Sequence, residues 1–222
     1  MGETDEIRKR GVVVAIDGPA GSGKSTLAAR LADRLSFPYV NTGLMYRALA
    51  LRSIDHGVEP DDVEGLARLA GEIRFGLVGG RGQIPRLLID GAEPQDALVS
   101  PRVEDVVSQV SRHPDVREIM RRAQRELGAG GCVMEGRDIG SVVFPDADVK
   151  FFLSAPPSVR ADRRQRERGA GEAVTERDAL DRRTNPLEPT ADAHVLDTSV
   201  LSREEVFEAA VRIVDTVLGG RQ

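Results

Sequence analysis

The residues best suited to chemistry are contiguous: Gly18-Pro19-Ala20-Gly21-Ser22-Gly23-Lys24-Ser25-Thr26. They complete the pattern G-x-x-x-x-G-K-S/T, with Gly18 and Gly23 at its ends. A loop that gathers backbone N–H groups around phosphate oxygens needs glycines, which take unusual dihedrals and allow close approach. Lys24 supplies a point charge for β- and γ-phosphates, and the Ser25 hydroxyl is placed to ligate Mg²⁺. Only Lys9, Lys24 and Lys150 are lysines in a chain rich in arginine, and one of them stands where the pattern wants it.

Such a loop works only when flanking elements hold it. Val12 to Ile16 is a short apolar, largely β-branched run, the pattern of a buried parallel strand, and Asp17 ends it. After the loop, Leu27, Leu31 and Leu35 recur at helical spacing. A helix starting near Lys24 adds its free N–H groups and the positive end of its dipole. The plainer alternative is a glycine-rich turn before a helix; the strand on one side and the helix on the other favour phosphate binding.

The chain has 222 residues, room for one α/β domain or one domain with an inserted lobe. At 40% hydrophobic and 30% charged it reads as soluble and globular. No apolar run approaches a membrane span, and the N-terminus is charged without an apolar signal core. Cys132 stands alone, so disulfides do not shape the fold and a cytoplasmic location is expected. Beside an apolar strand, Cys132 reads as a small core residue, not a nucleophile. The net charge of −5 argues against a nucleic-acid binder. Arginines thicken from Arg160 to Arg183, which reads as a solvated helix face or as a movable anion clamp.

In chain order, residues 1–10 read as a polar tail. Phe37 to Val40 is a short strand, Asn41-Thr42-Gly43 a capping turn, and Leu44 to Ile54 a helix carrying Tyr46 and Arg47. A helix follows Pro60, then a hairpin of Ile73–Val78 and Arg86–Asp90 joined through Gly79-Gly80-Arg81-Gly82. Pro101 and Pro114 open two further helices. Strands at Cys132–Met134, Asp148–Leu153 and His194–Asp197 alternate with an Arg-rich helix from Pro157, a polar helix from Thr175 to Arg183, and a last helix from Arg203 to Leu218. Ser202 and Glu205 form a capping box for that last helix. The alternation implies a parallel sheet with right-handed crossovers and a ligand at the carboxyl edge of its strands. That edge collects Gly18–Ser25, Thr42, Arg137 and Asp138.

A phosphate loop alone does not separate kinases, GTPases, motors and transport ATPases. No N-K-x-D guanine signature is present, and the strand at Val149–Leu153 does not end in an Asp-Glu pair that would position water. Both absences favour transfer to a bound acceptor over hydrolysis. Longer motifs then become specific: A-I-D-G-P-A-G-S-G-K-S-T (15–26), T-G-L-M-Y-R (42–47), V-S-Q-V-S (107–111), G-R-D-I-G-S-V-V-F-P (136–145), R-D-A-L-D (177–181) and L-D-T-S (196–199). With these, the chain resembles the bacterial cytidylate (CMP) kinases from Val12 to Leu218.

That resemblance implies a P-loop NTPase three-layer α/β fold with a five-stranded parallel sheet. It implies a core over roughly 11–59, 116–156 and 190–222, an inserted α+β lobe for the nucleoside monophosphate over roughly 60–115, and a short Arg-rich lid with its adjoining helix over roughly 157–189. It implies an ATP:(d)CMP phosphotransferase of pyrimidine nucleotide metabolism that uses Mg²⁺ with ATP and works as a cytoplasmic monomer. Gly18 to Thr26, Arg160 and Arg163 are implied to hold ATP. Lys24, Arg137, Arg160 and Arg164 are implied to stabilise charge on the transferring group. Thr42, Tyr46, Arg47, Ser108, Arg117, Arg137, Asp138, Arg177, Asp181 and Arg183 are implied to hold CMP, with Ser108, Arg117 and Asp138 reading cytosine. The chemistry agrees: a carboxylate accepts from the cytosine N4 amine, Arg and Ser donate to N3 and O2, and arginine grips phosphate with paired hydrogen bonds.

Taken singly, Arg137 and Asp138 read equally as a structural ion pair, Ser108 and Arg117 as solvated helix residues, and Tyr46 as packing. Two departures stand out. Glu135 occupies a position where the family often has Asp. The family pattern R-D-x-x-D-x-x-R ahead of P-L is shortened, so that Thr184 falls where a phosphate-contacting Arg is expected, and the expectation is that Arg183 or Arg182 takes that role from one residue earlier. Two readings remain beside the leading one: a P-loop kinase for another monophosphate or small metabolite, and a nucleotide-binding module with little turnover.

Overall fold

A computed structural model describes residues 11–79, 86–94, 96–168, 179, 184 and 187–220. In chain order, β1 (Val13–Asp17) leads through the glycine loop into α1 (Lys24–Leu35). Then come β2 (Tyr39–Asn41), α2 (Thr42–His56) and α3 (Val63–Glu72). The strands β3 (Phe75–Val78) and β4 (Arg86–Ile89) precede a 3₁₀ turn at Asp96–Val99. Next are α4 (Pro101–Val110), α5 (Pro114–Gly128) and β5 (Cys132–Glu135). A π-helical turn at Ile139–Val143, β6 (Val149–Ser154), α6 (Pro157–Arg168), β7 (His194–Asp197) and α7 (Arg203–Gly219) complete the described chain.

The main sheet has the order β2-β5-β1-β6-β7, and every pairing is parallel. β1 and β5 are buried at every position and β6 at all but its last, so these strands are apolar runs, not alternations. Leu27, Leu31 and Leu35 of α1 and Val206, Ala210 and Val214 of α7 cover one face, over Val14, Ile16, Phe151 and Leu153. On the other face, Met45, Leu49, Leu66, Val103, Val107, Val116 and Met120 from α2 to α5 join Ala15 and Met134. Burying each such side chain contributes roughly 1.5–3 kcal/mol, so the sheet edge between the two layers is a rigid platform. The antiparallel hairpin pairs Phe75 with Ile89 and Val78 with Arg86.

Helix ends follow local chemistry. Asn41 Oδ1 accepts from Leu44 N at 3.2 Å, and Asp62 Oδ1 from Gly65 N at 2.9 Å. Pro101 and Pro114 each sit at the start of their helices. The capping box is formed, with Ser202 N donating to Glu205 Oε2 and Glu205 N to Ser202 Oγ. Two expectations shift. The second strand starts at Tyr39, not Phe37, because Phe37 N returns to Ala32 O to close α1 while its ring is fully buried. Thr42 is the first residue of α2 and not part of a turn, since Asn41 alone supplies the cap. Cys132 is buried, and burial pushes its thiol up to about 12, as befits a core residue. All of the expected helix at 175–183 except Ala179, which is helical, and part of the expected hairpin turn, 80–82, lie outside the described residues. Among the described residues no helix is long and apolar enough to cross a membrane.

Candidate functional site

The glycine loop leaves the carboxyl end of β1 and wraps a cavity of about 350 Å³. Gly18 has φ +145°, and a Cβ there would stand 2.3 Å from Leu153 O, so only glycine lets the loop pass β6. Gly23 has φ +93° and is the residue before α1; a Cβ on it would meet nothing within 4 Å, so its free side is open space. Lys24 is buried, and its Nζ donates to Pro19 O at 2.8 Å across the loop. Ser25 and Thr26 are exposed on the cavity wall. The Ser22 hydroxyl is fully buried and has no hydrogen-bond partner among the described residues. Oriented N–H groups, the first turn of α1 and a lysine together form an anion cradle.

Helix α6 lies over this loop. Arg160, Arg163 and Arg164 recur at helical spacing, and Arg160 and Arg164 are only 2% and 7% exposed, which excludes a solvated face for them. Arg160 donates through Nε to Ala155 O at 2.9 Å and through Nη1 to Ala20 O at 3.1 Å, which clamps the back of the loop. Arg163 Nη1 donates to Thr198 Oγ1 at 2.9 Å. The Thr198 hydroxyl also lies 3.1 Å from Ser22 O and 3.2 Å from Ser154 O. The L-D-T-S segment therefore ties the glycine loop, β6 and α6 together. Thr198, Leu201, Arg203 and Val206 line the far wall of the cavity.

A smaller cleft of about 80 Å³ lies at the ends of β2 and β5. Thr42, Tyr46, Ser108, Arg117, Arg137, Asp138 and Thr184 line it. Asp138 Oδ2 accepts from Arg117 Nη2 and from Arg121 Nη2, both at 2.8 Å, and the Asp138 and Arg117 side chains are each 8% exposed. Arg117 is thus a buried, anchored residue and not a solvated one. The Arg117 guanidinium lies 6.0 Å from the Tyr46 ring centroid. Burial raises the Tyr46 phenol above its ordinary value and keeps it a neutral donor. Arg137 and Asp138 do not form the simple strand-end pair that their adjacency allows. Asp138 turns to α5, and Arg137 Nη1 donates to Gly18 O at 3.2 Å, which joins the second cleft to the glycine loop.

Arg47 does not line this cleft. It is buried, donates through Nη1 to Leu98 O at 3.3 Å and pairs with Glu104. Thr42 spends its hydroxyl on Glu135 O at 2.8 Å. Tyr39 donates to Glu135 Oε1 at 2.6 Å, and the Ser25 hydroxyl also approaches the Tyr39 phenol. Arg177, Asp181 and Arg183 lie outside the described residues.

Sequence reasoning missed Asp17, Glu104, Arg121 and Thr198. Asp17 does more than end β1: Oδ1 accepts from Ile139 N at 2.8 Å and Oδ2 from Gly140 N at 2.7 Å. These bonds hold the π-helical turn, and with it Arg137 and Asp138, against the glycine loop. Burial raises the Asp17 carboxyl to about 6, partly offset by the two N–H donors and by Lys24. Arg121 carried a usable signal, because it lies one helical turn from Arg117 on the same face of α5.

The family model described as cytidylate kinase matches residues 14–216. A cytidylate kinase of Pelotomaculum thermopropionicum is 44% identical over 222 residues, covering 94% of this chain and 97% of the relative. One from Geobacillus kaustophilus is 43% identical over 225 residues, covering 95% of this chain and all of the relative, 100%. One from Geobacter sulfurreducens is 41% identical, covering 93% and 94%. With a family match spanning nearly every element of the fold and relatives alike along their whole lengths, the chain belongs to the cytidylate kinase family.

Proposed function

We propose that this chain transfers the γ-phosphoryl group of ATP to CMP or dCMP, giving CDP or dCDP and ADP. The observation that carries the reading is the junction of the two clefts. Arg137, on the wall of the acceptor cleft, donates to Gly18 at the head of the phosphate loop. A phosphate held there faces the γ-phosphate of a nucleotide on the loop.

In this reading Gly18 to Thr26 cradle the triphosphate, Lys24 neutralises the β- and γ-phosphates, Arg163 and Arg164 on the cavity wall cover them, and Arg160 adds its charge from behind the loop that it braces. The Ser25 hydroxyl would hold Mg²⁺ brought with ATP, and the ion would supply charge neutralisation on the phosphates. The donor set suits an ion brought in by the nucleotide, since no group of three or more His, Cys, Asp or Glu side chains is gathered to hold a metal among the described residues. Arg137, with Arg183, grips the acceptor phosphate, while Arg177 and Asp181 contact the ribose; Arg47, held on Leu98 O and Glu104 behind the cleft, adds its positive charge to that side and reaches the phosphate only if the cleft closes on the acceptor. Asp138 accepts from the cytosine N4 amine, and Ser108 and Arg117 donate to its other edge. Tyr46 packs beside the base, and Thr42 fixes the cleft floor.

An oxygen of the CMP phosphate attacks the γ-phosphorus, and the bond from that phosphorus to the departing ADP oxygen breaks. The attacking phosphate is already anionic, so no general base is needed and catalysis is positioning plus charge stabilisation. Residues 60–115 serve as the acceptor lobe and 157–189 as the lid. The chain acts as a monomer in the cytoplasm, without nucleic acid.

ADP formation from ATP·Mg²⁺ tests this with CMP, dCMP, UMP, AMP, GMP and dTMP in turn. Strong turnover is expected with CMP and dCMP, weak turnover with UMP and none with the others. Preference for another acceptor would refute the base-reading assignment.

Asp17 adds a pH dependence. Its carboxyl is raised to about 6 by burial, so the native state binds this proton more tightly than the unfolded chain. The group therefore favours folding at low pH, and that contribution is lost as pH rises through about 6. Activity runs the other way, because a protonated carboxyl accepts poorly from Ile139 N and Gly140 N. The expected result is that kcat/KM for CMP falls as pH drops below about 6, by up to tenfold per unit. The acceptor phosphate also titrates near ~6, so the comparison that isolates Asp17 is Asp17→Asn. That variant should have a lower plateau and a shallower acid limb; a limb of unchanged slope would remove Asp17 from the profile.

A further inference from the structure

We infer that Glu104 is a positioning residue for phosphoryl transfer, holding an acceptor-side arginine and a lid-side arginine on one carboxylate. This rests on the kinase reading above and extends it to a residue that touches neither substrate. Glu104 lies in the first turn of α4. Its Oε2 pairs with Arg47 Nη1 and its Oε1 with Arg164 Nη2. Arg47 belongs to α2, the helix whose Thr42 and Tyr46 line the acceptor cleft, whereas Arg164 belongs to α6 and lines the larger cavity. One side chain thus bridges three helices and both halves of the site.

The charges explain why a carboxylate is needed. Arginine does not lose its proton, so two buried guanidinium groups can be brought together only around an anion. Substrate phosphates supply anions during turnover; Glu104 supplies one permanently. The three side chains are 7%, 8% and 11% exposed, so the arrangement is fixed by packing and not a fluctuating surface pair. Each guanidinium carries five N–H donors, and Glu104 holds Arg47 through Nη1 and Arg164 through Nη2. The carboxylate thereby sets the orientation of both groups. Without it, Arg164 loses its register over the loop and Arg47 its register beside the acceptor.

A double-mutant cycle on the full chain tests this, with kcat and KM for CMP as readouts and a thermal melt of every variant. Wild-type turnover of CMP, measured first, tests the kinase reading by itself. Glu104→Gln keeps the shape and removes the charge. It should lose on the order of 10²-fold in kcat/KM, mostly in kcat, and clearly less, on the order of tenfold, when Arg164→Gln is already present, because only the Arg47 half of the pairing then remains to be lost. Glu104→Asp, which keeps the charge, should retain more activity than Glu104→Gln. Equal losses in both backgrounds, better activity in Gln than in Asp, or wild-type constants in Glu104→Gln would overturn the inference. A lower CMP KM in Glu104→Gln would also overturn it, because Glu104 would then be competing with the substrate phosphate.

Discussion

Lys24→Met should abolish phosphoryl transfer while the protein stays folded. Lys24 begins α1 and is buried, with its ammonium 2.8 Å from Pro19 O. Methionine has a similar length and no charge, so the substitution removes the Nζ hydrogen bond to Pro19 O, worth about 1 kcal/mol net. A small fall in Tm follows, and the melt should stay cooperative. Catalysis loses far more. In the proposed mechanism the lysine meets charge that builds on the bridging and γ-oxygens as the bond to ADP breaks, beneath the arginines of α6. Removing a single preorganised donor in such a setting costs on the order of 10²–10³-fold in kcat, and a full positive charge on phosphate belongs at or beyond the upper end. ATP should still bind, because the backbone N–H groups and the first turn of α1 remain. Turnover near wild type in this variant, with ATP bound, would remove Lys24 from the mechanism.

The same substitution acts on Asp17. Lys24 is one of the influences that lower the Asp17 carboxyl against the larger effect of burial. Removing it drives that carboxyl further up and weakens its hold on Ile139 N and Gly140 N. The glycine loop and the Arg137–Asp138 turn are therefore coupled through a carboxylate at the tip of β1. The separation of 122 positions from Asp17 to Ile139 hid this link from sequence reasoning, which saw only that a polar residue closes an apolar strand. The same holds for Glu104: in sequence it is one acidic residue in the first turn of an amphipathic helix, where acidic residues are common for dipole reasons alone. What could be read was local. Asn41 and Ser202 announce helix starts, Pro101 and Pro114 open helices, and Val12–Ile16 must lie deep in a parallel sheet. The spacing of Arg160, Arg163 and Arg164 gave a common helix face but not its direction; only the packed structure turns it toward Ala20, Thr198 and Glu104. The π-helical turn at Ile139–Val143 has no propensity signature. It exists because Asp17 draws two successive N–H groups and because Arg125 donates to Val142 O and Val143 O, each at 3.1 Å.

Asp138→Asn should shift the choice between CMP and UMP more than any other single change. Asp138 Oδ2 is fixed by Arg117 and Arg121, each at 2.8 Å, so the carboxylate is held in one orientation with Oδ1 as its remaining acceptor. Cytosine offers an N4 amine to that acceptor. Uracil offers O4, and two acceptors face each other without a proton between them. A buried polar group left unpaired is what makes such a site reject the wrong ligand strongly. Asparagine can turn its NH₂ toward the cleft and keep its oxygen on the arginines, which inverts the preference at this contact. Each correct contact of this kind discriminates by roughly 1–3 kcal/mol, so gaining one and losing one should move the ratio of kcat/KM for CMP over UMP by on the order of 10²-fold. Stability also changes, because the buried Arg117 and the half-buried Arg121 lose their counter-charge. Breaking a buried pair costs about 3 kcal/mol or more, and at roughly 2–4 °C per kcal/mol for a chain of this size the Tm should fall by about 10 °C. The two effects separate in one experiment, since the CMP/UMP ratio does not depend on how much enzyme is folded. A lowered Tm with an unchanged ratio would make Asp138 a structural anchor for α5 and move base reading elsewhere. A shifted ratio, with UMP turnover rising in absolute terms, would establish that the carboxylate reads the N4 amine.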